Sequence, residues 1–301
     1  MRALQLQENN TYNDQSKKIT NNVGERVFGR DITCENFQSV IPPSKNLKYA
    51  FLIDEYTSDI YRNLHNIEEL YMIKSDYMSH QTGITLKMRA ILVDWLFDVH
   101  LKFKLFEETL FLAVSILDRY LNKAKVTKEA LQLVGITSMF IASKYQEISP
   151  PELKDFVYVT EQTCTKNEII STERLILKML DFDLNMPTAL TFFERYSRIC
   201  KFDDFAYYIG LFLIEISLFE VSFLQYKPST IASAAVFLSK KIAKNSLSTI
   251  SKSQKAEGIS VCVQELANLV ANCDASYFCS VKKKFGSEKF QCVSKTMELV
   301  R

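Results

Sequence analysis

Two segments of the chain are apolar on nearly every side and rich in small residues, a pattern typical of helices that are buried all round. The first extends from Val134 to Lys144 and the second from Ile231 to Lys241, and each ends in a lysine. Such a helix has no polar face to leave in water, so other helices must pack around it. Because the two segments lie about 100 residues apart, the sequence predicts two tandem helical bundles, each around its own hub helix, rather than a solenoid of short repeats.

Composition favours an all-α fold for the rest of the chain. Of its 301 residues 47% are hydrophobic, yet only seven are glycine and six are proline. Long periodic segments with so few turn-forming residues indicate helices. For the first bundle the apolar period predicts helices at roughly 86–103, 107–122, 127–145, 150–158 and 166–180. For the second bundle it predicts helices at roughly 188–199, 203–221, 228–243, 261–273 and 275–285.

Two of these helices carry capping signals at their starts. The sequence Ser149-Pro150-Pro151-Glu152 offers an N-cap serine, followed by proline in the first turn and an acidic residue three positions along. Thr165 followed by Glu168 has the spacing of a capping box. The signals therefore predict that the two helices begin at Pro150 and Lys166.

The bundles divide the chain into four parts. Residues 1–45 are polar and aperiodic, so we interpret them as a disordered tail. Residues 46–85 contain an amphipathic helix, with apolar side chains at every third or fourth position, and a linker. The first bundle follows at 86–184 and the second at 185–301. The prediction is thus an all-α chain with two tandem five-helix bundles and an N-terminal helix.

Charge and cysteine content exclude several functional classes. The 37 basic and 35 acidic residues give a net charge of +2, which provides no electrostatic footprint for nucleic acid or a membrane. The seven cysteines form no Cys-x-x-Cys pair, so we expect reduced thiols, an intracellular protein and no metal site. Because no phosphate loop or nucleophile motif is present, we also predict no cofactor and no enzymatic activity.

The segment 88–96 contains the single tryptophan of the chain and more apolar positions than one buried helix face uses. Met88, Leu92 and Trp95 follow an i, i+4, i+7 stripe on one side of this helix, while other apolar residues face elsewhere. Two interpretations are open at this point. The segment is either a central core helix or a helix that presents a binding surface.

From residue 86 onward the chain resembles the cyclin family. Its first match is the pattern Arg-x-x-Leu-x-x-Trp-Leu, and the later motifs follow with the family spacing. The resemblance covers about 50–300, is most specific over 86–184, and is greatest to the mitotic B-type cyclins, with the A-type next. A pair of five-helix bundles is the fold that it implies. The matching motifs lie at 89–96, 116–120, 131–135, 141–145 and 150–152.

The resemblance implies a non-catalytic subunit that binds and activates a cyclin-dependent protein kinase as a heterodimer. It also implies a role at the G2/M transition of the cell cycle, in the nucleus and the cytoplasm. In cyclins the residues that match Lys144 and Glu173 contact the mobile C helix of the kinase; the plain alternative is an ion pair between the two. The matched kinase contacts are Tyr56, Ile60, Lys144, Tyr145, Glu147, Glu173, Leu177 and Phe182. The chain departs from the family at Gln146, where an acidic residue is usual, and at Asn63, where an aromatic residue is often found.

The same resemblance gives the helix around Trp95 a binding role. In cyclins with this motif the matching residues form an apolar groove that captures Arg-x-Leu segments of substrates and inhibitors, with polar groups for the peptide backbone and the arginine. The matched groove residues are Met88, Ile91, Leu92, Trp95, Asp98 and Gln132. Arg89 and Asp118 match a pair within the bundle, and we predict a structural role for them, because unpaired charges among apolar neighbours are costly.

Two alternatives share the predicted fold. One is a two-repeat helical adaptor in transcription, similar to general initiation factors that bind DNA and are basic. The other is a transcription-type cyclin, which seldom carries the sequence Met-Arg-Ala-Ile-Leu found here at 88–92. The near-neutral charge of the chain favours the kinase activator over the DNA-binding adaptor.

Overall fold

The computed structural model contains α-helices and short 3₁₀ turns, and no strand among the residues it describes. These residues are 47–73, 76–243, 257–271 and 278–299. The predicted disordered tail, 1–45, lies outside them. The chain divides after Ser58 into two units, and both helical bundles belong to the second unit, Asp59–Arg301.

The first bundle is built around its third helix, as the apolar pattern predicts. Helix α1, Leu47–Ile67, precedes the bundle and is followed by 3₁₀ turns at Glu68–Tyr71 and Tyr77–His80. Helix α4 is the hub, because it packs against α3 and α6 and its residues Ile136 and Met139 are fully buried. The helices of the bundle are α2 Leu86–Phe103, α3 Glu107–Lys123, α4 Lys128–Gln146, α5 Leu153–Val159 and α6 Lys166–Met179.

The second bundle repeats this arrangement around α9, which packs against the helices on both sides of it in the chain. Three alanines of α9, Ala232, Ala234 and Ala235, are fully buried, so small side chains allow its neighbours to approach closely. The all-α prediction of two tandem bundles is thereby confirmed. The helices are α7 Ala189–Ile199, α8 Asp204–Ser217, α9 Pro228–Ala243, α10 Glu257–Ala271 and α11 Cys279–Phe285, followed by α12 Val293–Leu299.

One of the two predicted helix starts is confirmed and the other is wrong. Thr165 caps α6, since its hydroxyl accepts from the backbone N–H of Glu168 and the reciprocal bond is also present. Helix α5 does not begin at Pro150. Its N-cap is Glu152, whose backbone N–H donates to the carboxylate of Asp155, 3.0 Å away. Two consecutive prolines hold the preceding residues extended, so the helix starts only after them.

The predicted helix 203–221 ends four residues early, at Ser217, after which the backbone N–H groups bond to carbonyls three residues back. The backbone carbonyls of Leu218 and Phe219 lie beyond this end, and each accepts a hydrogen bond of 3.0 Å from Nη1 of Arg89 on α2. The last helix, α12, was not predicted at all.

Polar bonds join the two bundles within their shared unit. Besides the bonds made by Arg89, the carboxylate of Asp94 on α2 accepts from the backbone N–H of Ser280, 2.9 Å away on α11. Nζ of Lys284, also on α11, lies 3.3 Å from Oε1 of Glu107 on α3. The orientation of one bundle on the other therefore depends on buried, directional contacts as well as on apolar packing.

Candidate functional site

The last turn of the hub helix α4 reaches the surface and presents Lys144. Its ammonium group pairs with the carboxylate of Glu173 on α6 and lies 4.2 Å from the ring centre of Phe140. The structure thus brings together the two residues that the resemblance assigns to the kinase, and in the unbound chain they are partners of each other. The lysine side chain is 40% exposed and the glutamate side chain is 14% exposed, so the pair is open to solvent on the side of the lysine.

Large apolar side chains surround the predicted kinase contacts on the surface. Tyr145 is 51% exposed, and Phe182, in the connection after α6, is 70% exposed. The backbone of Phe182 has a positive φ of 58°, and its N–H donates to the carbonyl of Leu177 at 2.9 Å, which fixes the backbone at this position. Exposed aromatic residues next to a charged pair are typical of a protein-binding surface.

The other predicted contacts occupy different environments. Leu177 is half-buried against the core of the first bundle. Ile60 on α1 is exposed, as is Tyr56, which belongs to the separate first unit of the chain.

Glu147 has a role within the fold that the sequence did not indicate. Its carboxylate accepts from the backbone N–H of Phe106, at 2.8 Å, and from the hydroxyl of Thr109, at 2.5 Å. These groups lie at the N-terminus of α3, so Glu147 satisfies donors that have no partner inside that helix. No pattern in the sequence connects positions 106 and 147, which explains why this role was missed.

Helix α2 is both a core helix and a surface helix, so the two interpretations of 88–96 each apply to one side. Leu96 and Phe97 are fully buried, whereas Ile91 is 51% exposed and Met88 and Trp95 are half-buried. The exposed side runs on to Asp98, which is also exposed. A peptide groove typically combines apolar side chains, some buried and some exposed, with a few polar groups such as this carboxylate.

Leu92, one of the matched groove residues, is more deeply buried than its neighbours in the groove. This side chain is only 6% exposed, because it lies directly over Gly135 of α4. A Cβ atom at Gly135 would lie 2.8 Å from Cδ1 of Leu92, so the glycine makes this approach possible. Leu92 therefore forms the floor of the surface rather than its wall. Half-exposed Gln132, also on α4, accepts a hydrogen bond of 3.3 Å from the hydroxyl of Thr163.

Arg89 and Asp118 form a buried, two-point ion pair. Nε and Nη2 of the guanidinium donate to the two carboxylate oxygens at 2.7 and 2.6 Å, and the hydroxyl of Tyr77 donates to the same carboxylate at 2.6 Å. Burial together with the neighbouring Asp118 charge raises the pKa of Tyr77 well above its usual value, so it remains a donor. Together with the two bonds from Nη1 to the second bundle, this geometry uses four of the five N–H donors of the guanidinium group.

The part of the chain that the structure describes lacks two further kinds of feature. It contains no group of three or more His, Cys, Asp or Glu side chains placed to hold a metal ion. None of its helices has the length and apolar character needed to cross a membrane.

Comparison with known families agrees with this architecture. The model for the cyclin N-terminal domain matches residues 59–185, and the model for the cyclin C-terminal domain matches residues 187–299. The chain belongs to the cyclin family.

Its similar relatives include mitotic cyclins of both classes. It is 42% identical to the G2/mitotic-specific cyclin-B of Marthasterias glacialis over 81% of this chain and 64% of that one. It is 41% identical to the G2/mitotic-specific cyclin-B of Spisula solidissima, over 82% of this chain and 59% of that one. The G2/mitotic-specific cyclin-A of Patella vulgata is 37% identical, over 88% of this chain and 63% of that one. The chain thus matches less than two thirds of the length of each of these relatives.

Two solved structures share the fold. A viral cyclin from herpesvirus saimiri superposes with a TM-score of 0.56 at 23% identity, over 80% of this chain and 99% of that one. A chain of the yeast RNA Pol II CTD kinase CTDK-1 complex superposes with a TM-score of 0.54 at 16% identity, over 75% of this chain and 82% of that one. At these identities the similarity concerns the fold alone.

Proposed function

We propose that this chain is a non-catalytic subunit that binds and activates a cyclin-dependent protein kinase and acts at the G2/M transition. The observation that carries the proposal is the surface at the end of α4, where Lys144 and Glu173 form a partly exposed pair next to exposed Tyr145 and Phe182. The similarity to mitotic B-type cyclins supports both the partner and the stage of the cell cycle.

Activation in this proposal is a shift of the kinase between two conformations. The kinase is active when the glutamate of its C helix meets the catalytic lysine and its activation loop is open. A partner that contacts the C helix only in this arrangement raises its population by its own binding free energy. Lys144 and Glu173 are suited to this role, because their mutual pair is partly exposed and can be exchanged for bonds to a partner. The chain supplies binding energy and no chemistry.

The test is the double variant Lys144→Ala with Glu173→Ala. Each residue would make charge-assisted hydrogen bonds to the kinase, worth about 1.5–3 kcal/mol each, so affinity should fall by two or more orders of magnitude. The measurements are the Kd for a purified cyclin-dependent kinase and the rate of histone phosphorylation. The fold should survive, since the pair is at the surface.

The matched control is Lys154→Ala, which removes a lysine that pairs with Glu152 at 2.8 Å, both side chains being well exposed on the first bundle. This control should bind and activate like the original chain. Full activation by the double variant would overturn the proposal.

We further propose that the groove on α2 docks Arg-x-Leu segments of substrates and inhibitors. Met88, Ile91 and Trp95 offer apolar contacts above the floor formed by Leu92, as a leucine side chain requires. Exposed Asp98 offers a charge to the arginine, and half-exposed Gln132 offers its amide group to the peptide backbone.

A further inference from the structure

The second half of α1 packs on the second bundle. The hydroxyl of Tyr61 donates to the backbone carbonyl of Thr191 on α7 at 3.1 Å. The rings of Tyr61 and His65 lie 6.3 and 4.7 Å from that of Phe192, also on α7. Ile60, the exposed residue assigned to the kinase, is thus on a helix that the other bundle supports.

The turn after α1 makes a buried polar link to the second bundle. Glu68 is 2% exposed, and its two carboxylate oxygens accept from the backbone N–H of Ser229 at 3.0 Å and from the hydroxyl of Ser229 at 2.8 Å. A carboxylate at this position stabilises the N-terminus of α9, where backbone N–H groups lack partners and the helix dipole is positive. The adjacent Glu69 forms an exposed ion pair with Lys227.

The other end of the same turn reaches the proposed kinase surface. The hydroxyl of Tyr71 donates to the carboxylate of Asp183 at 2.9 Å, and the guanidinium of Arg119 on α3 lies 5.3 Å from its ring centre. Asp183 is adjacent to exposed Phe182. The turn Glu68–Tyr71 therefore links α1, the second bundle and the edge of the surface that contains Lys144.

We propose that Glu68 is a positioning residue for kinase binding. By capping α9 it fixes the end of α1, and so places Ile60 relative to Lys144 and Glu173. The second bundle then contributes to kinase affinity through α1 without any of its own residues in the proposed kinase contacts. This inference depends on the proposed function, because Ile60 is a kinase contact only there.

The direct test is Glu68→Ala in the full chain. Without its cap bond α1 is no longer fixed at its end, so kinase affinity should fall about tenfold. Activity at saturating cyclin should be nearly unchanged, since Lys144 and Glu173 are untouched. A general loss of structure would lower both quantities, so this split separates positioning from simple destabilisation. Leu70→Ala is the matched control, because Leu70 lies on the same turn and is 79% exposed.

A double-mutant cycle with Ile60→Ala tests the mechanism itself. Alone, Ile60→Ala should weaken kinase binding severalfold. In the Glu68→Ala background it should have little further effect, because the displaced helix no longer presents Ile60. Hydrogen exchange should increase in 59–67 and remain unchanged in α2 to α6. Ser229→Ala, which removes the hydroxyl donor of Ser229 and keeps its backbone N–H, should give an intermediate effect if Glu68→Ala folds poorly.

The outcomes distinguish the inference from the function on which it depends. If Lys144→Ala with Glu173→Ala weakens kinase binding but Glu68→Ala does not, the positioning role is wrong and the proposed function stands. Independent effects of Glu68→Ala and Ile60→Ala would also overturn the positioning role. If none of these variants alters kinase binding, the proposed function itself fails.

Discussion

Arg89 is a single side chain that holds together parts of both bundles. It is 1% exposed and donates to Asp118 in its own bundle and to two carbonyls of the other, 129 and 130 residues away. A buried ion pair is not in itself strongly stabilising compared with an apolar pair of the same volume. Losing one partner is different, because the remaining charge and the carbonyls stay buried without donors.

We therefore expect Arg89→Ala to destabilise the fold by roughly 3–5 kcal/mol. The measurement is the free energy of unfolding from denaturant titration, followed by circular dichroism. Arg62→Ala is the control, since Arg62 pairs at the surface with Asp59 and its side chain is 71% exposed. The control should change stability by no more than about 0.5 kcal/mol. An unchanged unfolding midpoint for Arg89→Ala would mean that the pair is not buried in solution.

The burial of Leu92 decides how the proposed groove is best tested. Truncation of Leu92 would create a cavity and cost about 2–5 kcal/mol of stability, which would confuse folding with docking. Ile91→Ala with Trp95→Ala removes more exposed side chains of the same groove. For a substrate that carries Arg-x-Leu, KM should rise about tenfold or more, because hot-spot residues contribute roughly 2–4 kcal/mol to docking.

A short peptide substrate without Arg-x-Leu should be phosphorylated at the original rate by the same variant. Ile199→Ala, an exposed apolar residue of the second bundle, is the matched control and should leave both substrates unaffected. An equal loss for both substrates by a folded variant would show that the groove does not dock them.

At the scale of elements, four helices meet in a buried charged cluster. Lys284 on α11 contacts Glu215 on α8 at 2.5 Å and Glu107 on α3 at 3.3 Å, and His100 of α2 faces the same group. Burial raises the pKa of Glu215 to about 7, even though Lys284 opposes the shift. Burial and the Lys284 charge lower the pKa of His100 to about 4. One oxygen of Glu215 and Nδ1 of His100 have no hydrogen-bond partner in the described part of the chain.

These shifts predict an unusual dependence of stability on pH. Because the pKa of Glu215 is raised on folding, its contribution is present at low pH and is lost as pH rises through about 7. His100 acts in the opposite sense: its contribution is present above pH 6.5 and is lost as pH falls towards 4. The two effects oppose each other between about pH 4.5 and 6.5, so the net loss of stability should be confined to a narrow range from about pH 6.5 to just above 7.

The test is Glu215→Gln, which removes the pH dependence of stability that comes from Glu215. Relative to the original chain, the variant should gain roughly 2–3 kcal/mol of unfolding free energy between pH 5 and pH 8. Glu288→Gln, at an exposed position on the same bundle, should show no such gain. A constant difference between Glu215→Gln and the original chain across this range would mean that Glu215 does not titrate there.

For the whole molecule, the two bundles have the same architecture and different roles. The residues of the proposed kinase surface and of the groove lie on α1, α2, α4, α6 and the connection after α6, none of them on the second bundle. The second bundle instead supports them. Its backbone accepts a hydrogen bond from Arg89, and its helix α11 contacts Asp94 and, through Lys284, also α3. The N-terminus of its helix α9 is capped by Glu68. This division explains how a second copy of the architecture contributes to a surface on the first.

The sequence determined the helices, because helix formation depends on neighbours three and four residues away. The two hub helices follow from apolar residues all round, the start of α6 from Thr165 and Glu168, and the family from motifs spaced along the first bundle. These signals also predicted the candidate residues, of which the structure brings Lys144 to Glu173 and Arg89 to Asp118.

Only the tertiary structure decided the contacts between groups far apart in the chain. Arg89 donates to the carbonyls that follow α8, Gly135 makes room for Leu92, and Glu68 caps α9 from 161 residues away. Each of these contacts forms because the packing of the helices brings a donor, an acceptor or an open space next to a particular side chain. Because such a partner has no fixed spacing in the sequence, no periodic pattern predicts it, and it becomes defined only when the helices pack.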